Sequence, residues 1–380
     1  MIEAKTIFYI RSINIIGGVE QWMYYIAKMF GKRKDFIVLY RDGDKKQLLR
    51  LAKHCRIQMY NDEKVKCDTA VFCYNFDIID KIEAKEYYHF IHGNIAAVKK
   101  LYPQIDMISP PQITKRYSVS EITKDGYKEV YGIDTEVFYN ILDIDKIKKT
   151  INNSGVLKLI TASRLRDAIK GFDYMEEIVK ELKTHGIPYQ WLCFSDKPEK
   201  EIIGNYTFMR PNLDITPYIA DADYLVQTSI DESYGYSIVE SLMLDTPVIV
   251  MDIPVLKELE IKDGVHGYIL NFDMSNLDVE KIYRDKPIIK NYIPPMDIDK
   301  WETILGKDIK DIYVYDEEET LKKINVRWIA LARVKDDEDV KFDGEEVFIE
   351  DSTRLRLLLD HNLIIRKDKY EAKIWMKNLL

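Results

Sequence analysis

Residues 229–259 read SIDESYGYSIVESLMLDTPVIVMDIPVLKEL. The β-rich run Tyr224–Ile230 leads into this stretch and predicts a strand. A loop then carries Glu232 and Gly235. A helix follows over Ser237–Leu244, with Glu240 in its first turn, and a second strand over Pro247–Met251. Strand, loop, helix and strand in that order make one unit of a parallel sheet. The first turn of such a helix presents unpaired N–H groups to an anion, and a glycine just before it lets a ligand come close. Seven residues separate Glu232 from Glu240, which puts two carboxylates at the mouth of a cleft, where they can accept hydrogen bonds from a hydroxyl-rich ligand. Ser237-x-x-Glu240 also has the form of a capping box, so Glu240 has a structural reading as well.

The same alternation extends in both directions. Toward the N-terminus it predicts strands at Thr6–Ile10, Phe36–Tyr40, Thr69–Tyr74 and Tyr87–Ile91, and a helix over Val19–Phe30 whose Trp22, Met23, Ile26, Met29 and Phe30 recur at helical spacing. Turn-formers near Tyr139–Asp143 and Ile151–Gly155 mark a domain boundary. Beyond it come a strand at Val156–Ala162, a helix at Asp173–His185 ended by Gly186, and a strand at Gln190–Phe194. The expected fold class is therefore α/β, with two facing Rossmann-like domains, 1–150 and 151–306, and a cleft between them. Ligands in such sheets bind outside the carboxyl ends of the strands. A third piece, 311–368, predicts a small α+β appendage with strands at Val326–Val334, Val347–Glu350 and Leu363–Arg366 and a helix at Ser352–Leu359.

Composition excludes several classes. Hydrophobic residues make up 46% and charged residues 32% of the 380, which are globular proportions. The net charge of −8 argues against a general polyanion binder, yet residues 1–150 hold 25 basic against 20 acidic side chains and the remainder is at −13. An acidic substrate or a membrane surface would meet that N-terminal third. Cys55, Cys67, Cys73 and Cys193 form no CxxC pair and have no histidine at metal spacing, so neither a disulfide framework nor a zinc site is expected. No apolar run nears the ~20 residues of a membrane span, and the start MIEAKTIFYIRS reads as a strand. The expectation is a cytoplasmic protein, with peripheral contact at the inner membrane face left open. P-loop, GxGxxG and GxSxG motifs are absent, and the DGD at 42–44 and the DID at 143–145 and 297–299 lack the context of a metal-binding Asp-x-Asp pair.

Several motifs in order carry a resemblance. Glu232-Ser-Tyr234-Gly235-Tyr236-Ser-Ile-Val-Glu240, followed by Pro247-Val-Ile-Val, resembles the E-x7-E signature of retaining glycosyltransferases of the GT-B fold, family 4 (glycosyl transferases group 1). TASRLRDAIKGFDYM (161–175) resembles the segment whose Arg164 and Lys170 would hold the donor diphosphate. Gly17-Gly18-Val19-Glu20 resembles the loop opening the first helix near the donor phosphates, and FIHGN (90–94) places His92 near the transferred sugar. SVSE (118–121) and the run ending at Asn140 also have counterparts. The family's glycine before T-P-V is Asp245 here, and its glycine pair after the strand is replaced by Ile253-Pro254-Val255, which bears on donor identity. The resemblance covers about residues 5–306.

The resemblance implies a hexosyltransferase-type enzyme that needs no cofactor and no metal. Its donor would be a nucleotide-diphosphate sugar, a UDP-sugar ahead of a GDP-sugar, and its acceptor a glycan or lipid-linked hydroxyl. His92, Arg164, Lys170 and Glu232 would be catalytic. Gly17, Gly18, Arg164, Lys170, Glu232, Tyr234, Gly235, Tyr236 and Glu240 would bind the donor. Glu240 would hold the ribose and Glu232 the sugar hydroxyls. Two other functions stay open. One is a non-catalytic nucleotide-sugar-binding partner subunit. The other is a phage enzyme glycosylating nucleic acid, because the appendage with its RLRLLLDHNLI run resembles add-on segments of phage-associated proteins. Nucleic acid ranks below a glycan as partner.

Overall fold

The computed structural model describes residues 1–309 except 15, 150–151, 166–167, 196–201 and 204–205, and then 315–316, 320, 340–343, 346–349, 365–366 and 372–375. They fall into two units, Met1–Asp44 with His54–Tyr313, and Lys45–Lys53 with Val314–Leu380.

The first unit contains two large sheets and a small parallel pair, Ser12–Ile13 with Asp42–Gly43. In chain order the first is built from β1 (Ile2–Glu3), β2 (Thr6–Tyr9), α1 (Gly18–Phe30), β3 (Phe36–Tyr40), β4 (Arg56–Met59), β5 (Val65–Phe72), β6 (Ile82–Ile91), α2 (Ile95–Leu101), β7 (Lys115–Ser118), α3 (Glu121–Tyr131) and β8 (Glu136–Val137). The strands lie in the order β8-β7-β6-β5-β2-β3-β4, with β1 beside β5, and every pair is parallel. β2 and β3 are buried along their whole length, as strands covered on both faces by helices must be. α1 buries Trp22, Met23, Ile26 and Phe30 of the stripe expected from the sequence and leaves Met29 half-buried. β5 and β6 begin earlier than the predicted Thr69 and Tyr87, because their first halves, VKCD and IEAKE, carry charge into solvent and so look unlike strands.

The second sheet follows with β9 (Leu157–Ala162), α4 (Phe172–Thr184), β10 (Tyr189–Phe194), β11 (Ile202–Ile203), β12 (Tyr206–Met209), α5 (Thr216–Asp221), β13 (Tyr224–Gln227), α6 (Tyr236–Met243), β14 (Val248–Met251), α7 (Val255–Glu258), β15 (Gly267–Leu270), α8 (Val279–Arg284) and α9 (Ile298–Leu305). Its order is β11-β12-β10-β9-β13-β14-β15. Only the β11–β12 pair is antiparallel. β13 stops at Gln227 instead of the predicted Ile230, which lengthens the loop before α6.

α9 returns to the first sheet. Its fully buried Trp301 stacks on Phe90 at 5.0 Å and 14°, and also packs against Phe8, Trp22 and Phe138. Each such pair contributes about 0.5–1.5 kcal/mol beyond area burial. Arg33 pairs with Glu302, and Lys34 Nζ lies 2.5 Å from the same carboxylate. Among the described residues no helix is long and apolar enough to cross a membrane.

The second unit shows the helix Lys45–Ala52 and a four-stranded antiparallel sheet in the order β16-β17-β19-β18: β16 (Val340–Asp343), β17 (Glu346–Ile349), β18 (Ile365–Arg366) and β19 (Ala372–Trp375). β19 lies past residue 368, where the sequence reading ended the appendage. The strand expected at Val326–Val334 and the helix expected at Ser352–Leu359 lie outside the described residues.

Candidate functional site

Both sheets present the carboxyl ends of their parallel strands to one cleft, where ligands of open α/β sheets bind. From the first sheet come the loop after β2 with Gly17 and Gly18, Cys73 after β5, and His92 after β6. From the second come Arg164 and Lys170 after β9, and the loop 228–235 after β13.

Lys170 Nζ donates to Glu232 Oε1 at 2.6 Å, and each side chain is only 15% exposed. Gln227 Nε2 donates to the same oxygen at 3.1 Å. Burial pushes the Glu232 carboxyl up. The Lys170 charge, with hydrogen bonds from Lys170, Ser229 and Gln227, outweighs that and carries it below the ordinary carboxylate value. Glu232 therefore stands ionised beside the Lys170 ammonium. Arg164 is exposed, and its charge is felt by Glu20 and Tyr74 of the first sheet's side.

α6 starts at Tyr236, with Gly235 as its N-cap in the left-handed region (φ 78°, ψ 57°) that favours glycine, and no side chain caps it. The sequence reading of Ser237 as the cap is thereby corrected. Ser237 is the second helical residue, and Glu240 lies past the third position a capping box requires. Glu240 has different partners. It is 4% exposed, and its Oε1 accepts from Gln21 Nε2 at 2.7 Å and from the Tyr25 hydroxyl at 2.8 Å, both on α1 across the cleft.

Tyr234 is buried, and its hydroxyl donates to the Asn140 carbonyl at 3.4 Å. Tyr236 stacks on Tyr25 at 5.8 Å and 28°. Its buried hydroxyl has no hydrogen-bond partner among the described residues, an arrangement that calls for a polar group from elsewhere. Gly18 takes the first helical position of α1, and a Cβ there would meet nothing within 4 Å. Packing does not require a glycine at that position.

His92 is half-buried, with its ring 4.7 Å from Trp22 and its Nε2 3.6 Å from Cys73 Sγ. Burial, with His89 nearby, drives its imidazole down to about 3, so it is neutral at physiological pH. The structure thus pairs Lys170 with Glu232, ties Glu240 and Tyr236 to α1 through Gln21 and Tyr25, brings the charge of Arg164 to Glu20, and sets His92 against Trp22 and Cys73.

Three residues that the sequence reading quoted within motifs without giving them a role lie here too. Glu20, in the first turn of α1, is buried, which pushes its carboxyl up to about 7 against the pull of its own and the Gly17 N–H groups and of Arg164. Asn94 caps α2 and reaches over to the loop before α6: its Nδ2 donates to Asp231 at 2.8 Å and its backbone N–H to Ser233 Oγ at 3.0 Å. Glu258 accepts from the N–H groups of Glu121 and Ile122, at 2.7 and 3.2 Å, at the N-terminus of α3. Asn94 and Glu258 sit in the quoted FIHGN and KEL stretches, but nothing local to either motif signals a partner about 140 residues away.

Residues 157–283 match the family model described as glycosyl transferases group 1. The fold is similar to that of Anabaena HepE, solved in complex with UDP-glucose, at a TM-score of 0.56 and 14% identity over 87% of this chain and 100% of that one. It is also similar to sucrose-phosphate synthase from Thermosynechococcus elongatus, at 0.52 and 11% identity over 87% and 100%. A glycosyltransferase from Rickettsia africae gives 0.51 and 17% over 84% and 91%. In sequence, the chain is 26% identical to an uncharacterized 41.2 kDa protein in the cps region of Klebsiella pneumoniae over 237 residues, which is 59% of this chain and 62% of that protein's length. Over residues 157–283 this chain is similar to the glycosyl transferases group 1, and its two-sheet fold is similar to that of GT-B glycosyltransferases.

Proposed function

We propose that the protein is a retaining glycosyltransferase that moves a sugar from a nucleotide-diphosphate sugar to a hydroxyl of a glycan or lipid-linked glycan, without a metal. The observation that carries the reading is the Lys170–Glu232 ion pair beside the uncapped N-terminus of α6, with Glu240 four residues further along that helix. A cation and free helix N–H groups suit a diphosphate, and carboxylates suit a diol. The similarity to HepE, solved with UDP-glucose, supports a UDP-sugar as donor.

In this mechanism the bond from the sugar's anomeric carbon to the diphosphate oxygen breaks. The acceptor oxygen bonds to the same face of that carbon, and the acceptor proton passes to the departing phosphate oxygen. Arg164, Lys170 and the N–H groups at Gly235–Tyr236 stabilise the charge that builds on the leaving group, which is preorganised electrostatic catalysis. Glu232, held ionised by Lys170, accepts from the sugar hydroxyls. Neutral His92 hydrogen-bonds the sugar without adding charge. On the first sheet's side, exposed Leu101, Tyr102 and Ile108 beside Lys99 and Lys100 support a peripheral membrane contact near a lipid-linked acceptor.

A thermal-shift panel of UDP- and GDP-sugars tests the donor site. At a ligand concentration 100 times Kd the true donor should stabilise the fold by ~2.7 kcal/mol. Lys170→Ala should lose most of that shift. A panel in which no nucleotide sugar raises the wild-type melting temperature would overturn the reading.

A further inference from the structure

We infer that Gln21 and Tyr25 are positioning residues for nucleotide recognition: they aim the Glu240 carboxylate, so that α1 of the first domain sets how the second domain reads the ribose. The inference rests on the proposed role of Glu240 as the ribose acceptor. Gln21 and Tyr25 are four residues apart on α1 and so project from one face. Both end on a single atom, Glu240 Oε1, at 2.7 and 2.8 Å, although they are more than 210 residues away in sequence. Oε1 is the acceptor in both bonds, and a carboxyl oxygen held by two donors is fixed in direction. Two donors on one oxygen fix the plane of the carboxylate and hence the direction from which a diol can meet it.

The donors are themselves held. The Tyr25 ring is buried and stacks on Tyr236, the first residue of α6. Burial, and then Glu240, raise the phenol far above its ordinary value, so its hydroxyl keeps its proton and donates. Gln21 is held in α1 by the helix's first i→i−4 bond, from its backbone N–H to the carbonyl of the N-cap Gly17. A carboxylate meant only to join two domains would need no particular orientation. One that must discriminate a 2′,3′-diol does, because both hydroxyls have to find acceptors at once.

The experiment measures the affinity of the full chain for UDP or GDP, whichever binds wild type more tightly, and for its 2′,3′-dideoxy form, by calorimetry. The ratio of the two dissociation constants reads diol recognition alone, whereas a general loss of fold or closure weakens both ligands together. Tyr25→Phe keeps the ring and its stacking, and Gln21→Met keeps the volume of the side chain. Each should cut the ratio by about tenfold, the weight of one hydrogen bond to a charged group, and leave the dideoxy affinity near wild type. Glu240→Gln runs in parallel and should also reduce the ratio. If Glu240→Gln lowers the ratio while both α1 variants keep the wild-type value, the inference is wrong and the ribose role of Glu240 stands. If Glu240→Gln itself keeps the wild-type ratio, the ribose reading fails, and the inference with it.

Discussion

Burial of Glu20 in the first turn of α1 pushes its carboxyl from an ordinary 4.5 to about 7, so the folded protein holds that proton more tightly than the unfolded chain does. A folded-state value above the unfolded one gives stability that is fully present below the unfolded value and lost as pH rises through the folded one. Glu20→Gln, which imitates the protonated acid, should therefore match wild type near pH 4.5 and be more stable at pH 8 by about 1–3 kcal/mol. Chemical denaturation at the two pH values checks this, and an equal difference at both would show that burial does not control the group. The sequence displayed Glu20 within Gly17-Gly18-Val19-Glu20, and it displayed Lys170 and Glu232 as charged residues 62 positions apart. It could not display the environment of Glu20 or the 2.6 Å contact that keeps Glu232 ionised, because a carboxylate's environment is assembled by distant chain. The residues of the site were thus legible one by one, and their pairing was not.

α6 shows how a helix boundary decides what its residues can do. Shifting the start from Ser237 to Tyr236 removes Ser237 from the cap and frees Glu240 from any capping duty. Ser237→Ala should then cost less than about 0.5 kcal/mol, whereas a true serine N-cap is worth about 1 kcal/mol. Asn94→Ala is the contrasting case. It removes the cap of α2 and the bond to Asp231, whose carboxyl burial already pushes up, so its melting temperature should fall clearly below that of Ser237→Ala. Similar losses for the two variants would contradict this assignment of caps. Helices with a clean apolar stripe, such as Gly18–Phe30, and fully buried strands, such as Phe36–Tyr40, were legible to within a residue or two. β5 and β6 were shortened in the reading because Lys66, Asp68, Glu83 and Glu86 interrupt the pattern at their solvent-facing ends. β4, β7 and β15 are four residues each, too short to show a period.

Across the cleft, hydrogen bonds run largely one way. Gln21, Tyr25, Asn94, the N–H groups of Glu121 and Ile122, and the Tyr139 N–H donate, and Glu240, Asp231, Glu258 and Asp297 of the second half accept. That direction echoes the sequence, in which the first 150 residues carry a net +5 and the remainder −13. The two-sheet architecture was legible from the alternation of strands and helices. The return of α9 was not, because Trp301 finds Phe8, Trp22 and Phe90 only in three dimensions. With the halves joined in this way, the cleft can exclude water, as the proposed sugar transfer requires. The central claim is retaining transfer from a nucleotide-diphosphate sugar with the side chains and helix N–H groups in the metal's place. It is tested most directly by NMR of the donor that stabilises the fold, incubated with the protein in EDTA with water as the acceptor. The account predicts slow release of nucleoside diphosphate, with the first-formed free sugar in the donor's own anomeric configuration. Release of the opposite anomer, or turnover that begins only when Mg²⁺ or Mn²⁺ is added, would contradict it.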